Sequence, residues 1–353
     1  MDGLNKSMYD IGSDSAFSIL ARSQELSKQG KDVINLGIGQ PDFPTPPNVV
    51  EAAIKALKDG HHGYTSSNGI LELRQAVAED FYKRNNVKID PNKILITPGG
   101  KSIIFYTMLM FGEVGSEIIT PDPGFIAYKS MIDYTGSKAV SLPHRMQNNF
   151  SFDADELLSL VNDKTKLIIL NSPANPTGGV VPERELKKLA DGLLKFPKVY
   201  VLSDEIYSRI LFDKQKHHSL LKFPDIRDRV IVLDGWSKTF SMTGWRLGFG
   251  IFPKRIFDYA EKLTAVNAIN MASLAWAPPA PKNVEIGGIV EPSAKLRWDK
   301  VDGDIAGYKI YWRETTEAQW QYSRFVGNVN EFIFKLRNYS SNNIYETFIE
   351  KLS

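Results

Sequence analysis

Cysteine is absent from the 353 residues, which excludes a disulfide framework, thiol catalysis and any thiolate metal site. An excess of charge of one sign is also missing. Lys plus Arg number 43 against 41 Asp plus Glu, a net charge of +2, so neither nucleic acid nor an anionic membrane is an expected partner. Long hydrophobic runs are lacking too. The uncharged stretch 266–281 contains asparagine and three prolines and falls short of the ~18 apolar residues of a spanning helix. The opening MDGLNKSMYDIGSDS has no basic segment followed by an apolar one, so no secretory signal is expected. Histidine is scarce, with five in all. The pairs His61-His62 and His217-His218 have no further ligands at fitting spacing, so no metal site is assigned and both pairs are expected at the surface. The remaining composition, 42% apolar and 24% charged, is that of a folded chain. Its length suggests two domains, and the expectation is a soluble, cytoplasmic protein.

The character of the sequence changes near residue 270. Before it, KILITP (93–98), SEIITP (116–121), KLIILNSP (166–173), KVYVLSD (198–204) and RVIVLDG (229–235) are short apolar runs closed by turn residues. Such runs read as strands buried on both faces. Between them lie helical patterns such as PERELKKLADGLLKF (182–196). The alternation predicts an α/β fold, a mostly parallel sheet sandwiched by helices, with reactive groups just past the carboxyl ends of the strands. After VNAIN (266–270) the pattern turns to period two in KLRW, GYKIYWR, QWQYSRFVG and NEFIF, and four of the six tryptophans lie there, at 276, 298, 312 and 320. That predicts an all-β, sandwich-like segment.

Two nucleotide motifs fail. Gly37-Ile38-Gly39-Gln40-Pro41-Asp42 lacks the third glycine of a dinucleotide turn, and Pro41 obstructs the helix that should follow. Gly100-Lys101-Ser102 resembles the end of a P-loop, but the required first glycine would stand at Leu95. What remains is a spaced series of polar residues after the strands. Thr97-Pro98-Gly99-Gly100-Lys101-Ser102 opens onto the helical run IIFYTMLMF, where free backbone N–H groups suit an anion. Asp122-Pro123-Gly124-Phe125 places a ring on a loop, and Asn175-Pro176-Thr177-Gly178 is a turn sequence. Ser203-Asp204-Glu205-Ile206-Tyr207 puts a carboxylate at a strand end, costly to bury without a cation beside it. Trp236-Ser237-Lys238-Thr239-Phe240 and Gly244-Trp245-Arg246-Leu247-Gly248 close the series. Taken singly, each has a plain structural reading as turn, core ring or solvated charge.

In combination, LGIGQPDFPTP, GYTSSNG, TPGGKS, NSPANPTGG, DEIY and SKTFSMTGWRLG resemble the class I/II aminotransferases, the fold-type I enzymes that use pyridoxal 5′-phosphate. The resemblance covers about 15–270. It implies that Lys238 bonds the cofactor aldehyde, that Asp204 pairs with the protonated pyridine nitrogen, and that Asn175 and Tyr207 hydrogen-bond the ring oxygen. It implies that Phe125 stacks on the ring, and that the phosphate meets the N–H groups of Gly100 and Lys101 together with Ser237 and Arg246. Gly39, with Asn175, matches the substrate side. Tyr64 matches a tyrosine that reaches the phosphate of a neighbouring subunit, which implies a homodimer. The implied catalytic set is Lys238, Asp204 and Tyr207, and the implied reaction moves an amino group between an L-amino acid and a 2-oxo acid. A C–S β-lyase on the same scaffold, or a non-catalytic fusion protein, stand as alternatives.

The expected domains are 1–270, resembling the cofactor-binding part of that family, and 271–353. Family members continue past the position of VNAIN into a part that completes a small domain and carries an arginine for the substrate α-carboxylate. Here PPAPKNVEI, Trp298 and GYKIYWR resemble a fibronectin type III domain over about 278–335. Five strands are expected there, IYETFIE (344–350) offers a sixth, and 336–353 otherwise stays unassigned. Arg297, Arg313, Arg324 and Arg337 match no clamp motif, so no carboxylate-binding arginine is assigned.

Overall fold

The computed structural model describes residue 3 and residues 6–9, 15–35 and 37–267, and beyond them the strands 285–290, 293–297, 307–314, 322–326, 331–335 and 345–352. The chain divides into two units, Met1–Thr45 with Asp59–Leu274 and Pro46–Lys58 with Ala275–Ser353. In chain order the helices are α1 (Ser15–Lys28), α2 (Pro47–Lys58), α3 (Leu71–Asn85), α4 (Gly100–Phe111), α5 (Ile126–Tyr134), α6 (Ala154–Leu160), α7 (Glu183–Leu193) and α8 (Lys254–Asn267). The first unit holds strands β1 (Ile94–Thr97), β2 (Glu117–Asp122), β3 (Lys138–Pro143), β4 (Thr165–Asn171), β5 (Tyr200–Asp204), β6 (Val230–Gly235) and β7 (Gly248–Ile251).

These seven strands form one sheet in the order β1-β7-β6-β5-β4-β2-β3. β2, β3, β4, β5 and β6 pair in parallel. β7 is antiparallel to both β6 and β1, so β1 runs with the parallel set. The fold is therefore α/β and mostly parallel. The five apolar runs become β1, β2, β4, β5 and β6. Because side chains alternate across a strand, Leu95, Leu167, Ile169, Leu202, Ile231 and Leu233 join one core cluster. Ile94, Ile96, Ile168, Val201 and Val232 are equally buried on the alternate positions. Helix α4 packs on β6, β7, α5 and α8, while α3 packs on β1 and α6 on α7.

Helix α7 shows how pattern becomes packing. Leu186, Leu189, Ala190 and Leu193, at helical spacing, are buried, and each leucine removed from water contributes about 1.5–3 kcal/mol. The opposite face keeps Lys187 and Asp191 in solvent, 2.7 Å apart and one turn from each other. The helix begins after Pro182, a residue that cannot serve as an interior donor.

The apolar runs do not reveal β3 and β7. β3 is an edge strand of mixed exposure, and β7 is GFGI, whose glycines weaken any strand propensity. Tertiary contact requires those glycines. A Cβ on Gly248 would lie 2.6 Å from the Gly100 nitrogen, and one on Gly250 would meet Ile103 at 2.9 Å.

Among the described residues the second unit contains α2 and six strands: β8 (Glu285–Val290), β9 (Ser293–Arg297), β10 (Gly307–Glu314), β11 (Tyr322–Val326), β12 (Glu331–Lys335) and β13 (Tyr345–Leu352). They form two antiparallel three-stranded sheets, β12-β9-β8 and β11-β10-β13. Trp276, Trp298, Trp320, Arg337 and the stretch 278–284 lie outside the described residues.

Candidate functional site

The six strands that run in one direction deliver their following loops to one edge of the sheet, and antiparallel β7 begins at that same edge. A cavity of about 960 Å³ opens there. Its lining includes Gly39, Gly100, Lys101, Phe125, Asn175, Asp204, Tyr207, Ser237, Lys238 and Arg246. Residues spread over more than two hundred positions are thus brought together. Tyr64 is the exception. It does not line the cavity and stands 90% exposed.

The β1–α4 turn forms one side of the cavity. Gly99 adopts φ +81°, and a Cβ there would collide with the Arg246 guanidinium. A side chain on Gly100 would meet Leu233 at 2.9 Å. Helix geometry leaves the first N–H groups of α4 without intrahelical carbonyls, and Ser102 N–H already donates to Gly99 C=O at 3.3 Å. Arg246, itself left-handed at φ 55°, donates to Thr243 C=O at 2.9 Å and Pro98 C=O at 3.3 Å. Its guanidinium is therefore held over the turn from 148 positions further along the sequence. This cradle of glycines, amide donors, a hydroxyl at Ser237 and a planar cation fits a phosphate group.

Lys238 lies in the turn after β6. Phe240 N–H donates to Trp236 C=O and Met242 N–H to Ser237 C=O, both at 3.1 Å. Thr45 ties the turn down, donating to Ser241 C=O at 2.8 Å and accepting from Trp245 Nε1 at 3.0 Å. The Lys238 ammonium donates to Gly39 C=O and lies 6.0 Å from the Tyr207 ring centroid. Burial, and then the charge of Lys101, lower its pKa below the usual lysine range, which favours the free amine. Lys101 itself sits 5.4 Å over the Phe125 ring.

Asp204 ends β5 and is 4% exposed. Burial pushes its carboxyl up to about 6, against the pull of two donors and with a push from Glu205. The donors are Tyr128 OH, 2.6 Å from Oδ2, and Ile206 N–H, 3.2 Å from Oδ1. Burial and the nearby Asp204 also raise the Tyr207 hydroxyl. Asn171, level with Asp204 in the parallel register, donates from Nδ2 to its backbone carbonyl at 3.2 Å and accepts from Asn175 N–H at 2.7 Å. It thereby fixes the two loops against each other.

Tyr128 and Asn171 complete this arrangement; Tyr128 stands outside the motifs, and Asn171 opens NSPANPTGG without having been assigned a role. The clue to Tyr128 is its place three residues after Phe125, on the same side of the first turn of α5. Asn171 is the last residue of an apolar run, at the edge where polar groups collect.

The histidine expectation needs a correction. His61 and His62 are exposed, but the His217 side chain is only 7% exposed and its Nε2 lies 2.9 Å from Glu205 Oε2. The segment after Tyr207 returns to β5, so a loop histidine meets a strand-end carboxylate. Ser203 and Ser219 hydroxyls donate to Glu205 Oε1 at 3.0 and 2.8 Å. A third buried carboxylate, Asp234, pairs with Arg84 at 3.4 Å. Burial lifts it to about 7, and Arg84 only partly offsets this. Among the described residues no group of three or more potential ligands is placed to hold a metal ion, and no helix is long and apolar enough to cross a membrane. A second cavity of about 620 Å³, near the opposite ends of β6 and β7, is lined by residues such as Arg227, Asp228 and Phe252.

The model of the family described as aminotransferase class I and II matches residues 31–277. The chain is 37% identical over 259 residues to a probable aspartate/prephenate aminotransferase of Rickettsia felis, covering 73% of this chain and 63% of the relative. It is 40% identical over 239 residues to an aspartate aminotransferase of Pyrococcus abyssi, covering 67% of this chain and 61% of that one. It spans less than two thirds of the length of these two curated relatives. Among solved structures, an aspartate aminotransferase from Thermus thermophilus with maleate superposes with a TM-score of 0.74 at 31% identity, covering 78% of this chain and 72% of that chain.

Proposed function

The chain belongs to the class I and II aminotransferase family, and on that premise we propose that it uses pyridoxal 5′-phosphate to move an amino group between an L-amino acid and a 2-oxo acid. The observation that carries the reading is the convergence of Lys238, Asp204 and the glycine cradle on one cavity. When bound, the cofactor supplies an aldehyde that bonds amines and a ring that accepts electrons from the adjacent carbon.

This chain's residues do the rest. Lys238, made less basic by burial, would hold the aldehyde, and its Nζ, when free, would take the proton from the substrate Cα and carry it to the cofactor carbon. Asp204 holds a proton on the pyridine nitrogen, and that cation is the partner its buried carboxylate otherwise lacks. The N–H groups of Gly100 and Lys101, the Ser237 hydroxyl and the Arg246 fork hold the phosphate. Asn175 and Tyr207 hold the ring oxygen, Phe125 covers the ring face, and Gly39 borders the substrate. Relatives that are aspartate aminotransferases make aspartate the first amino donor to assay.

Tyr64, exposed and outside the cavity, is read as a residue that completes the site of a second copy in a homodimer. A cytoplasmic location belongs to the same reading. The domain division at about residue 270 and the fibronectin type III-like reading of the later segment are also proposals. Sheet order supports the latter, because the first, second and fifth of the six strands pair together and the third, fourth and sixth form the other sheet, as in a Greek-key sandwich.

Borohydride reduction of the loaded protein, followed by peptide mapping, should place the pyridoxyl group on Lys238. Amino transfer from L-aspartate to 2-oxoglutarate should vanish in Lys238→Ala. A label on another lysine, or activity that survives the substitution, ends the proposal.

A further inference from the structure

Tyr128 lines the same cavity as Lys238 and Asp204, and its one polar atom is committed to a single partner. The hydroxyl donates to Asp204 Oδ2 at 2.6 Å, the length of a charge-assisted O–H···O⁻ bond. Both groups are shut off from water, Tyr128 at 1% exposure and Asp204 at 4%. The second carboxylate oxygen accepts from Ile206 N–H. Two donors from two different elements, α5 and the turn after β5, thus hold the carboxylate plane. Tyr128 is held in turn, with the Phe125 ring edge-on at 5.6 Å and 89°. One helical turn therefore carries both the ring that borders the cavity and the hydroxyl that orients its carboxylate.

We propose that Tyr128 is the positioning residue for Asp204: its hydroxyl fixes the carboxylate and keeps it an ionised acceptor facing the cofactor's ring nitrogen. The inference rests on the pyridoxal phosphate reading above. Its physical basis is the direction of the bond. Burial and the Asp204 charge raise the Tyr128 hydroxyl well above the ordinary phenol range, so it remains a donor at all working pH. The same bond draws the Asp204 carboxyl down, against burial and against the neighbouring Glu205. Tyr207, a further titratable group beside Asp204, makes no hydrogen bond to the carboxylate, whose donors are Tyr128 OH and Ile206 N–H. A phenylalanine at 128 would keep the shape and leave a buried carboxylate short of one donor.

Four full-length proteins decide it: wild type, Tyr128→Phe, Asp204→Asn and the double variant. In cofactor-free protein labelled with ¹³C-aspartate, the Asp204 resonance, assigned by its loss in Asp204→Asn, should titrate about one pH unit higher in Tyr128→Phe. The dissociation constant for pyridoxal 5′-phosphate should rise in Tyr128→Phe about twofold at pH 7 and about tenfold near pH 5, where a carboxyl moved one unit up from about 6 is mostly protonated. It should not change further between Asp204→Asn and the double variant. An unshifted Asp204 midpoint, or an equal effect of Tyr128→Phe in the Asp204→Asn background, overturns the proposal. A wild-type chain that does not bind the cofactor sinks the functional reading instead, and the Asp204 midpoint still reports on Tyr128. Should Tyr128→Phe not fold, ¹³C-tyrosine titration replaces it. The Tyr128 midpoint should fall in Asp204→Asn, and an unchanged one counts against the proposal.

Discussion

Asp204 and Glu205 are consecutive and both buried, yet the fold gives them opposite surroundings. Glu205 faces a closed polar pocket, where Ser203, Ser219 and His217 all reach its two oxygens. Asp204 faces the cavity with one side-chain donor and one amide, and its carboxyl is pushed up to about 6. A buried carboxylate with its donors supplied by the chain is a structural element. One left short of a cation beside a cavity is poised for a ligand. The difference between the two regions thus separates what holds the loop in place from what the loop is there to present.

Substitution should break the comparison most sharply in turnover. Asp204→Ala is expected to lower amino-transfer kcat on the order of 10³-fold or more, because every step of the reaction depends on the ring as electron acceptor. Glu205→Gln, which keeps shape and some hydrogen bonds, should stay within about tenfold of wild type. Equal losses in steady-state assays would mean that the two carboxylates do not differ as described.

Stability should show the reverse order. Glu205→Ala leaves His217, Ser203 and Ser219 without their buried acceptor and should cost about 3–5 kcal/mol in denaturant unfolding of the cofactor-free protein. Asp204→Ala should cost far less under the same conditions or raise stability, since it removes a carboxylate that burial penalises. A larger loss for Asp204→Ala would reverse the assignment.

The smallest effect is the pH dependence of the cofactor-free protein. Asp204 and Asp234, at about 6 and about 7, bind protons more tightly folded than unfolded, where aspartate titrates near ~4. Between those values the native state carries more protons, so stability falls as pH rises from about 4 through 6 and 7. Asp204→Asn should remove the lower part of that slope and leave the Asp234 part. Melting temperatures across this range check it. An unchanged profile would show that Asp204 ionises in the fold as it does in water.

Much of the first unit was legible because its strands are apolar on both faces. Runs such as KLIIL and RVIVL have no solvent face to confuse their reading. Residues that gather at the cavity were legible where they follow such a run, as Gly100, Lys101, Phe125, Asn175, Asp204, Ser237 and Lys238 do. β7 was hidden because GFGI owes its place to the close approach of Gly248 to the β1–α4 turn, and propensity cannot report that. His217 was misplaced because its partner lies on a strand end twelve residues earlier, and nothing in KHHS records how the intervening loop returns.

The sequence by itself determined which residue types follow each strand, and so the chemistry available: a lysine, a carboxylate, paired glycines and an arginine. It did so because periodicity and turn composition are local properties, written in consecutive residues. Only the tertiary structure decided which of them touch. Tyr128 reaches Asp204 across 76 positions and Arg246 reaches Pro98 across 148. Such contacts depend on sheet order and on the withdrawal of water around a carboxylate, and both arise only when distant segments pack.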